Sequence, residues 1–143
     1  MIKVAVTLLA LMLSLSISAC GNAGTTGNAE IDYGSSTSFS ESEIKAAVET
    51  VLRKFKAFSG CDLLRLWYDE DRSSSQVEGY LTWGLGSVDG DERENIIILS
   101  SDFYVDSSGG DGSFNRNYTY SDWNWILVRK SPNHKWVVVD WGY

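Results

Sequence analysis

The sequence predicts an α+β domain in which a long N-terminal helix packs on a curved antiparallel sheet. Two observations lead to this prediction: an amphipathic helix pattern begins near residue 40, and three β-rich runs fill the second half of the chain. The order helix, short strand, helix and then antiparallel strands is typical of the α+β class. Residues 39–143, about one hundred, are enough for a single domain with one modest hydrophobic core.

The first helix has the clearest signal. Ser40-Glu41-Ser42-Glu43 has the form of a capping box, in which the serine side chain accepts a backbone hydrogen bond and the second glutamate reaches back. Apolar residues then recur at spacings of three and four, at Ile44, Ala47, Val48, Val51, Leu52, Phe55 and Phe58. Ser59-Gly60 is typical of a helix C-terminus. The pattern predicts a helix of roughly five turns.

Shorter patterns predict the remaining elements. A short strand is expected over 63–68, and a second, weaker helix over 73–83. Gly84, Gly86 and Gly90, mixed with acidic residues, predict a mobile loop. Three β-rich runs follow at 95–105, 120–130 and 135–141, and the turn residues 131–134 join the last two into a hairpin.

The first nineteen residues predict export. Lys3 is followed by an apolar run over 4–13 and by small residues at Ser18-Ala19, the three parts of a secretory signal peptide. The apolar run is too short to be a comfortable membrane span. A standard secretory signal and a lipoprotein signal both fit these features.

The end of this signal, Ile17-Ser18-Ala19-Cys20, resembles a bacterial lipobox. The resemblance implies that Cys20 takes a diacylglycerol, that the lipoprotein signal peptidase cuts before it, and that acyl chains hold the protein on the outer face of a bacterial membrane. Residues 21–38, rich in Gly, Ser, Thr and Asn, predict a flexible tether after this lipid. Such a coil would let the domain move roughly 20–25 Å from the bilayer.

Charge and cysteine content exclude some functions. The chain has 12 basic and 19 acidic residues and a net charge of −7, which disfavours nucleic-acid binding and polybasic membrane docking. Apart from Cys20 the only cysteine is Cys61, which follows Gly60 at the start of an apolar run. A buried free thiol is expected there, because a nucleophilic thiolate needs a base and the single histidine, His134, lies in a distant turn.

Several strings of residues resemble one family. They are the helix over 43–48, Leu66-Trp67-Tyr68-Asp69-Glu70, the strand over 100–103, the Gly109-Gly110-Asp111-Gly112 loop, the strand over 123–129 and the terminal 136–143. Together they are similar to small bacterial lipoproteins that carry a domain of unknown function with a cystatin-like fold, the architecture of nuclear transport factor 2. The resemblance implies a fold and no activity, because this fold carries enzymes, ligand binders and dimerisation modules.

Aromatic residues on the predicted sheet are the main functional signal. Strand alternation places Trp123, Trp125 and Leu127 on one face, and places Trp141 with Val137 and Val139 opposite Trp136. One face must pack on the first helix, while the second helix, a partner subunit or a ligand must cover the other. The candidate pocket or interface residues are Trp67, Trp83, Phe103, Trp123, Trp125, Trp136 and Trp141. Core packing is the alternative explanation for most of them.

Acidic residues give a second hypothesis. Carboxylates at Asp69, Glu70, Asp102, Asp122 and Asp140 could work in pairs as the acid and base of a hydrolase. A solvated turn and strand ends are the simpler explanation of the same residues. The acidic, glycine-rich loop over 106–112 is compatible with calcium but lacks the spacing of the twelve-residue calcium loop, so a long hairpin loop is favoured.

These features predict a membrane-anchored surface lipoprotein whose domain is a non-enzymatic binding module. The expected partners are the membrane, through the lipid, and a small ligand or another envelope component. No cofactor, metal or nucleic acid is expected. Two alternatives remain: an envelope hydrolase that uses the paired carboxylates, and a structural module that forms a homodimer.

Overall fold

The computed structural model describes residues 22–143, so the predicted signal peptide and the predicted lipidation site, Cys20, lie outside it. The described chain is α+β, as predicted, with a five-stranded sheet whose strands lie in sequence order. The strands are β1 (Glu30–Asp32), β2 (Cys61–Trp67), β3 (Ile96–Val105), β4 (Tyr118–Val128) and β5 (Val137–Gly142). The α-helices are α1 (Glu41–Phe55), α2 (Glu70–Trp83) and the four-residue α3 (Gly86–Asp89), which lies within the predicted mobile loop.

The sheet is mixed, whereas the sequence predicted an antiparallel one. Strands β2 to β5 pair antiparallel, but β1 pairs with β2 in parallel, with Ile31 opposite Leu66. Parallel neighbours need a crossover connection, and α1 supplies it between β1 and β2. Three register shifts interrupt the ladders of β2 to β5, and such bulges bend and twist a sheet.

Helix α1 begins as its capping box predicts. The Ser40 side chain accepts from the backbone N–H of Glu43, and the Glu43 carboxylate accepts from the backbone N–H of Ser40 at 2.7 Å. The helix ends at Phe55, about one turn earlier than predicted. The next N–H groups, of Ala57 and Phe58, donate to carbonyls three residues back, so the chain tightens into a turn there.

Two hydrophobic clusters hold the sheet between helices. On one face, α1 buries Val48, Val51 and Phe55 against β2, β3 and β4. On the other face, α2 packs Val77 and Tyr80 against a second cluster of β-sheet residues, Ile96, Ile98, Ile126 and Val128. The sequence left three possible covers for the second face: the second helix, a partner subunit or a ligand. Over these residues, helix α2 is the cover.

Residues 22–38, here called the strap, lie against the domain, although their composition predicts a flexible tether. The backbone N–H of Thr25 donates to the Cys61 carbonyl, and the Thr25 carbonyl accepts from Leu63, both at 2.9 Å. Strand β1 then continues this pairing along β2. Ala29 and Ile31 of the strap also pack against the core, but two apolar residues in a polar run give no pattern that predicts a strand.

Glu70 fastens the far end of the strap. Its carboxylate accepts from the backbone N–H of Thr37 at 2.9 Å and of Ser38 at 3.1 Å, and from the Ser36 hydroxyl at 2.5 Å. The hydrogen bond from Ser36 and those from the two backbone groups favour the charged form and lower the pKa of Glu70 to about 2. Glu70 was predicted as a possible polar group of a functional site. In the structure its carboxylate instead holds the end of the strap against the domain.

Substituting Gly24 should loosen the strap. A Cβ at this position would lie 2.2 Å from the Phe55 carbonyl oxygen and 2.8 Å from that of Phe58, so Gly24→Ala forces the backbone apart. We expect faster amide hydrogen exchange in β1 and the residues before it. Gly27→Ala is the matched control, because nothing lies within 4 Å of its Cβ. Equal exchange in the two variants would contradict the packing of Gly24 described above.

A buried ion pair joins the start of α1 to the β4–β5 hairpin. Arg129, with 6% of its surface exposed, donates to the Glu43 carboxylate at 2.7 Å and to the Glu94 carbonyl at 3.2 Å. Its guanidinium lies 4.3 Å from the centroid of the Trp136 ring. Hydrogen bonds from Ser40, reinforced by Arg129, lower the pKa of Glu43 to about 2.

These two carboxylates predict acid lability. Because the pKa values of Glu43 and Glu70 lie below the ordinary 4.5, their stabilisation is complete above about pH 4.5 and is lost as the pH falls towards 2. Denaturant unfolding followed between pH 6 and pH 2 should show this loss. In Glu43→Gln and Glu70→Gln, stability should fall less steeply over the same interval; an unchanged slope in both variants would contradict the assignment.

Candidate functional site

The strand β4 is longer than the helix that packs on the sheet. Strand β4 has eleven residues, about 37 Å at 3.4 Å per residue, whereas the fifteen residues of α1 span only about 22 Å. The face of the sheet that packs on α1 therefore continues past the C-terminal end of the helix. Aromatic side chains occupy this uncovered end.

A cleft of about 410 Å³ opens there, between the end of α1 and the sheet. We call it the aromatic cleft; it is lined by Phe58, Phe114, Trp123 and Trp141, together with Lys54, Ala57, Ser59, Asp111 and Ser113. Its volume lies within the range of roughly 300–1,000 Å³ that is usual for small-molecule sites. A mostly aromatic wall with a few polar groups is also usual for such sites.

Trp141 reaches this cleft because of a β-bulge. Leu127 pairs with Val138 and Ile126 with Asp140, so Val139 is the extra residue on β5. Simple alternation placed Trp141 on the face of Val137 and Val139. The bulge shifts the alternation by one, so that Trp141 instead faces Phe58, with ring centroids 6.0 Å apart, and Trp125, at 6.4 Å.

Trp141 is held but not buried. The Lys54 ammonium lies 4.5 Å from the centroid of its ring, a cation–π contact from the last turn of α1. Even so, 40% of the Trp141 surface is exposed, and 78% of that of Tyr143. These two rings present aromatic surface to whatever lies at the mouth of the aromatic cleft.

Trp123 forms the inner wall. Its ring makes edge-to-face contacts with Phe114 at 6.0 Å, Tyr120 at 5.6 Å and Tyr143 at 5.3 Å. Its indole N–H is buried and has no hydrogen-bond acceptor among residues 22–143. A buried indole N–H ordinarily has a hydrogen-bond partner. Like the exposed rings of Trp141 and Tyr143, this donor is a group that packing within the domain leaves without a partner.

Two other predicted site residues belong to the core beneath the cleft. Trp125 and Phe103 are fully buried, and the Trp125 indole N–H donates to the Ser101 hydroxyl at 2.8 Å. Phe103 contacts Phe114 at 5.6 Å and Trp123 at 5.5 Å, so the structure brings both buried residues together with the aromatic cleft. They support its walls without lining it.

The remaining predicted aromatics lie elsewhere. Trp136 is buried at the opposite end of α1, where its indole N–H donates to the Glu43 carbonyl at 3.0 Å. Trp67 stacks with Arg65, whose guanidinium lies 4.8 Å from its ring. Trp83, at the end of α2, is 88% exposed and borders a second surface pocket, which Trp141 and Tyr143 also line. The seven predicted aromatics therefore do not form one pocket.

Most of the predicted carboxylates already have partners within the domain. Asp69 is the N-cap of α2 and accepts from the Arg72 backbone N–H at 2.8 Å. Asp102 accepts from the backbone N–H of Asp122 at 2.9 Å, while the Asp122 side chain pairs with Arg72 at 3.2 Å. Asp140 is exposed on β5 and accepts from the backbone N–H of Trp141 at 2.9 Å. None of the five lines the aromatic cleft.

Sequence reasoning missed two aromatic residues of the cleft, Phe58 and Phe114. Phe58 was predicted only as part of the apolar side of the first helix. Phe114 lies in the glycine-rich loop between β3 and β4, where composition predicts only a long hairpin loop. Gly110, with a φ of +68°, lets this loop fold back: a Cβ there would lie 2.9 Å from the Phe114 ring and 3.2 Å from the Ser59 carbonyl oxygen. Phe114 then stacks on Phe58 at 5.7 Å. A single large aromatic among small residues was the available signal.

The loop carboxylates and Cys61 show no reactive arrangement. Asp106 and Asp111 accept hydrogen bonds from Ser108 and Ser113, which lower the pKa of each carboxyl. Among residues 22–143, no group of three or more His, Cys, Asp or Glu side chains could hold a metal ion. Cys61 is buried, as predicted, and burial raises the pKa of its thiol to about 11.

Two further findings bear on family and location. In the described part of the chain, no helix has the length and apolar character needed to cross a membrane. No family model matches the chain, and no curated protein or solved structure is significantly similar to it.

Proposed function

We propose that this protein is an exported lipoprotein, held on the outer face of a bacterial membrane by acyl chains on Cys20, whose domain is a non-enzymatic binding module. The observation that carries the binding role is the aromatic cleft. Its walls combine large rings with an indole N–H that has no acceptor in the described part of the chain, and the exposed rings of Trp141 and Tyr143 adjoin it. The lipobox-like Ile17-Ser18-Ala19-Cys20 supports the anchor.

The proposal includes the architecture. A cystatin-like fold, with a long N-terminal helix packed on a curved sheet, is supported by the position of α1 against β2, β3 and β5 and by the three bulges of the sheet. In such an arrangement a pocket forms between the end of the helix and the sheet, which is where the aromatic cleft lies. Helix α2, on the opposite face, covers the second apolar surface.

Binding is favoured over hydrolysis by the state of the acidic residues. A pair of catalytic carboxylates needs one acid whose pKa is raised towards neutrality. Glu70 instead has a pKa lowered to about 2 by its contacts with the strap, and Asp69 caps a helix. Both contacts stabilise the fold, so this adjacent pair of carboxylates serves a structural purpose.

Tryptophan emission tests the binding role directly, because Trp123 and Trp141 line the aromatic cleft. Full-length protein should be titrated with soluble peptidoglycan fragments, N-acetylglucosamine oligomers and phospholipid vesicles. We expect one of these probes to change the emission, and Trp141→Ala to weaken that response. Trp67→Ala should leave it intact, because Trp67 lies outside the lining of the aromatic cleft and contacts Arg65 instead. The proposal would be contradicted if none of the three probes changed the emission, or if the two substitutions affected the response equally. Light scattering on the same samples tests the homodimer alternative.

A further inference from the structure

The described chain begins beside the aromatic cleft. The Asn22 carbonyl accepts from the backbone N–H of Gly60 at 2.9 Å, and Gly60 directly follows Ser59, which lines the cleft. Two residues later, the Gly24 N–H donates to the Lys56 carbonyl at 3.1 Å, next to Ala57 of the same lining. The N-terminal end of the strap and the cleft therefore occupy the same end of the domain.

The sequence limits the distance between this point and the proposed anchor. Only Gly21 separates Cys20 from Asn22, and a step of two residues spans at most about 7 Å even when fully extended. We infer that the domain is held with the aromatic cleft against the bilayer, and that the partner of the cleft and its exposed rings is the lipid headgroup interface. This inference rests on the proposed acylation of Cys20.

The side chains at this end suit a lipid interface. Tryptophan and tyrosine concentrate at the boundary between headgroups and acyl chains, where an apolar ring and a polar tip are both accommodated. Trp141 and Tyr143 are exposed there, and Tyr118, which contacts Tyr120 in the same aromatic cluster, is 49% exposed. The Lys54 ammonium beside Trp141 can meet the phosphate of a headgroup.

Ring partitioning, not overall charge, drives this contact. The chain has a net charge of −7, so an anionic bilayer repels the domain as a whole. Contact through aromatic rings is only weakly screened by salt, whereas contact through a basic patch weakens steeply with ionic strength. The inference therefore predicts membrane contact by the rings that persists at high salt.

Depth-sensitive quenching tests the orientation. Mature, acylated protein is reconstituted into phosphatidylcholine vesicles that contain a phospholipid spin-labelled near its headgroup, and tryptophan emission is compared with that in unlabelled vesicles. We expect a quenched fraction that is the same at low and high salt. Trp141→Phe removes a quenched ring and should lower this fraction. Trp67→Phe should raise it, because Trp67 ends β2 about 20 Å along the strand from Cys61, where the strap begins its pairing. Unchanged thermal unfolding in both variants shows that the fold is intact.

Each outcome separates the orientation from the anchor. If the protein floats with the vesicles but Trp141→Phe does not lower the quenched fraction, the proposed orientation is wrong. The proposed acylation of Cys20 is still supported in that case. Failure of the mature protein to float, or flotation of Cys20→Ala equal to that of the unmodified sequence, overturns the anchor on which the inference rests. Loss of quenching when soluble peptidoglycan fragments are added assigns the aromatic cleft to a glycan and overturns the lipid inference.

Discussion

Replacing Trp125 with alanine is expected to lower the free energy of unfolding by about 3–5 kcal/mol, the range for a large aromatic removed from a packed core. Trp125 has no exposed surface and contacts Phe55 at 6.2 Å and Phe58 at 5.1 Å. The substitution leaves a cavity where α1 meets the sheet. Denaturant unfolding monitored by circular dichroism measures the loss. Since whole domains are stable by only about 5–15 kcal/mol, a large part of the total should disappear.

Trp83→Ala is the matched control for this substitution. It deletes the same side chain from a position that is 88% exposed, so we expect a change within about 0.5 kcal/mol. The contrast separates loss of core packing from any general effect of removing an indole. Similar losses in the two variants would show that Trp125 does not occupy the core position described above.

Removing the carboxylate of Glu43 is expected to lower the free energy of unfolding by about 3 kcal/mol, because it leaves the buried guanidinium of Arg129 without its charged partner. Glu43→Ala also removes one half of the capping box at Ser40. The lower end of the usual range for broken buried pairs applies, since the Glu43 side chain is 29% exposed. Urea unfolding at pH 7 measures the loss.

A double-mutant cycle identifies the source of this loss. Arg129→Met removes the buried charge, so adding Glu43→Ala to it should cost only about 1 kcal/mol, the contribution of the cap. Glu49→Ala is the matched control, because Glu49 pairs with Arg53 at 3.9 Å on the exposed side of the same helix, and surface pairs contribute little. Additive effects of Glu43→Ala and Arg129→Met would contradict a direct pairing.

Local signals in the sequence were sufficient for most of the elements. The capping box at Ser40 located the start of α1, and the β-rich runs located β3, β4 and β5 to within a few residues. Helix α2 was predicted to start at Ser73 and starts at Glu70, because Asp69 caps it. These features depend on neighbouring residues along the chain, which is why sequence patterns report them.

The features that the sequence did not predict depend on contacts between distant residues. Strand β1 pairs with β2 through backbone groups, and few side chains support the pairing: Ile31 packs against the core, and the Arg65 guanidinium lies between Glu30 and Asp32. A single apolar residue within a polar run is too weak a pattern to predict the strap or the mixed sheet. The bulge at Val139 reverses the face of Trp141, and no residue type in that run marks it. Phe114 joins the aromatic cleft only because the loop folds back through Gly110. The sequence predicted an aromatic site on the sheet, and of its seven aromatic residues the structure places Trp123 and Trp141 in the lining of the aromatic cleft.

The strap also determines how the domain responds to a pull on its N-terminal end. Force applied at Asn22 acts first on the few hydrogen bonds around Gly24 and Thr25 and then on the three-residue strand β1. It acts last on the hydrogen bonds that Glu70 accepts from residues 36–38, before it reaches α1. Peeling such a short edge breaks its bonds one after another, at a lower load than shearing the long strands. The seventeen released residues would then extend by up to about 55–60 Å while the rest of the domain stays folded. Under load, the strap would therefore detach and extend before the rest of the domain unfolds.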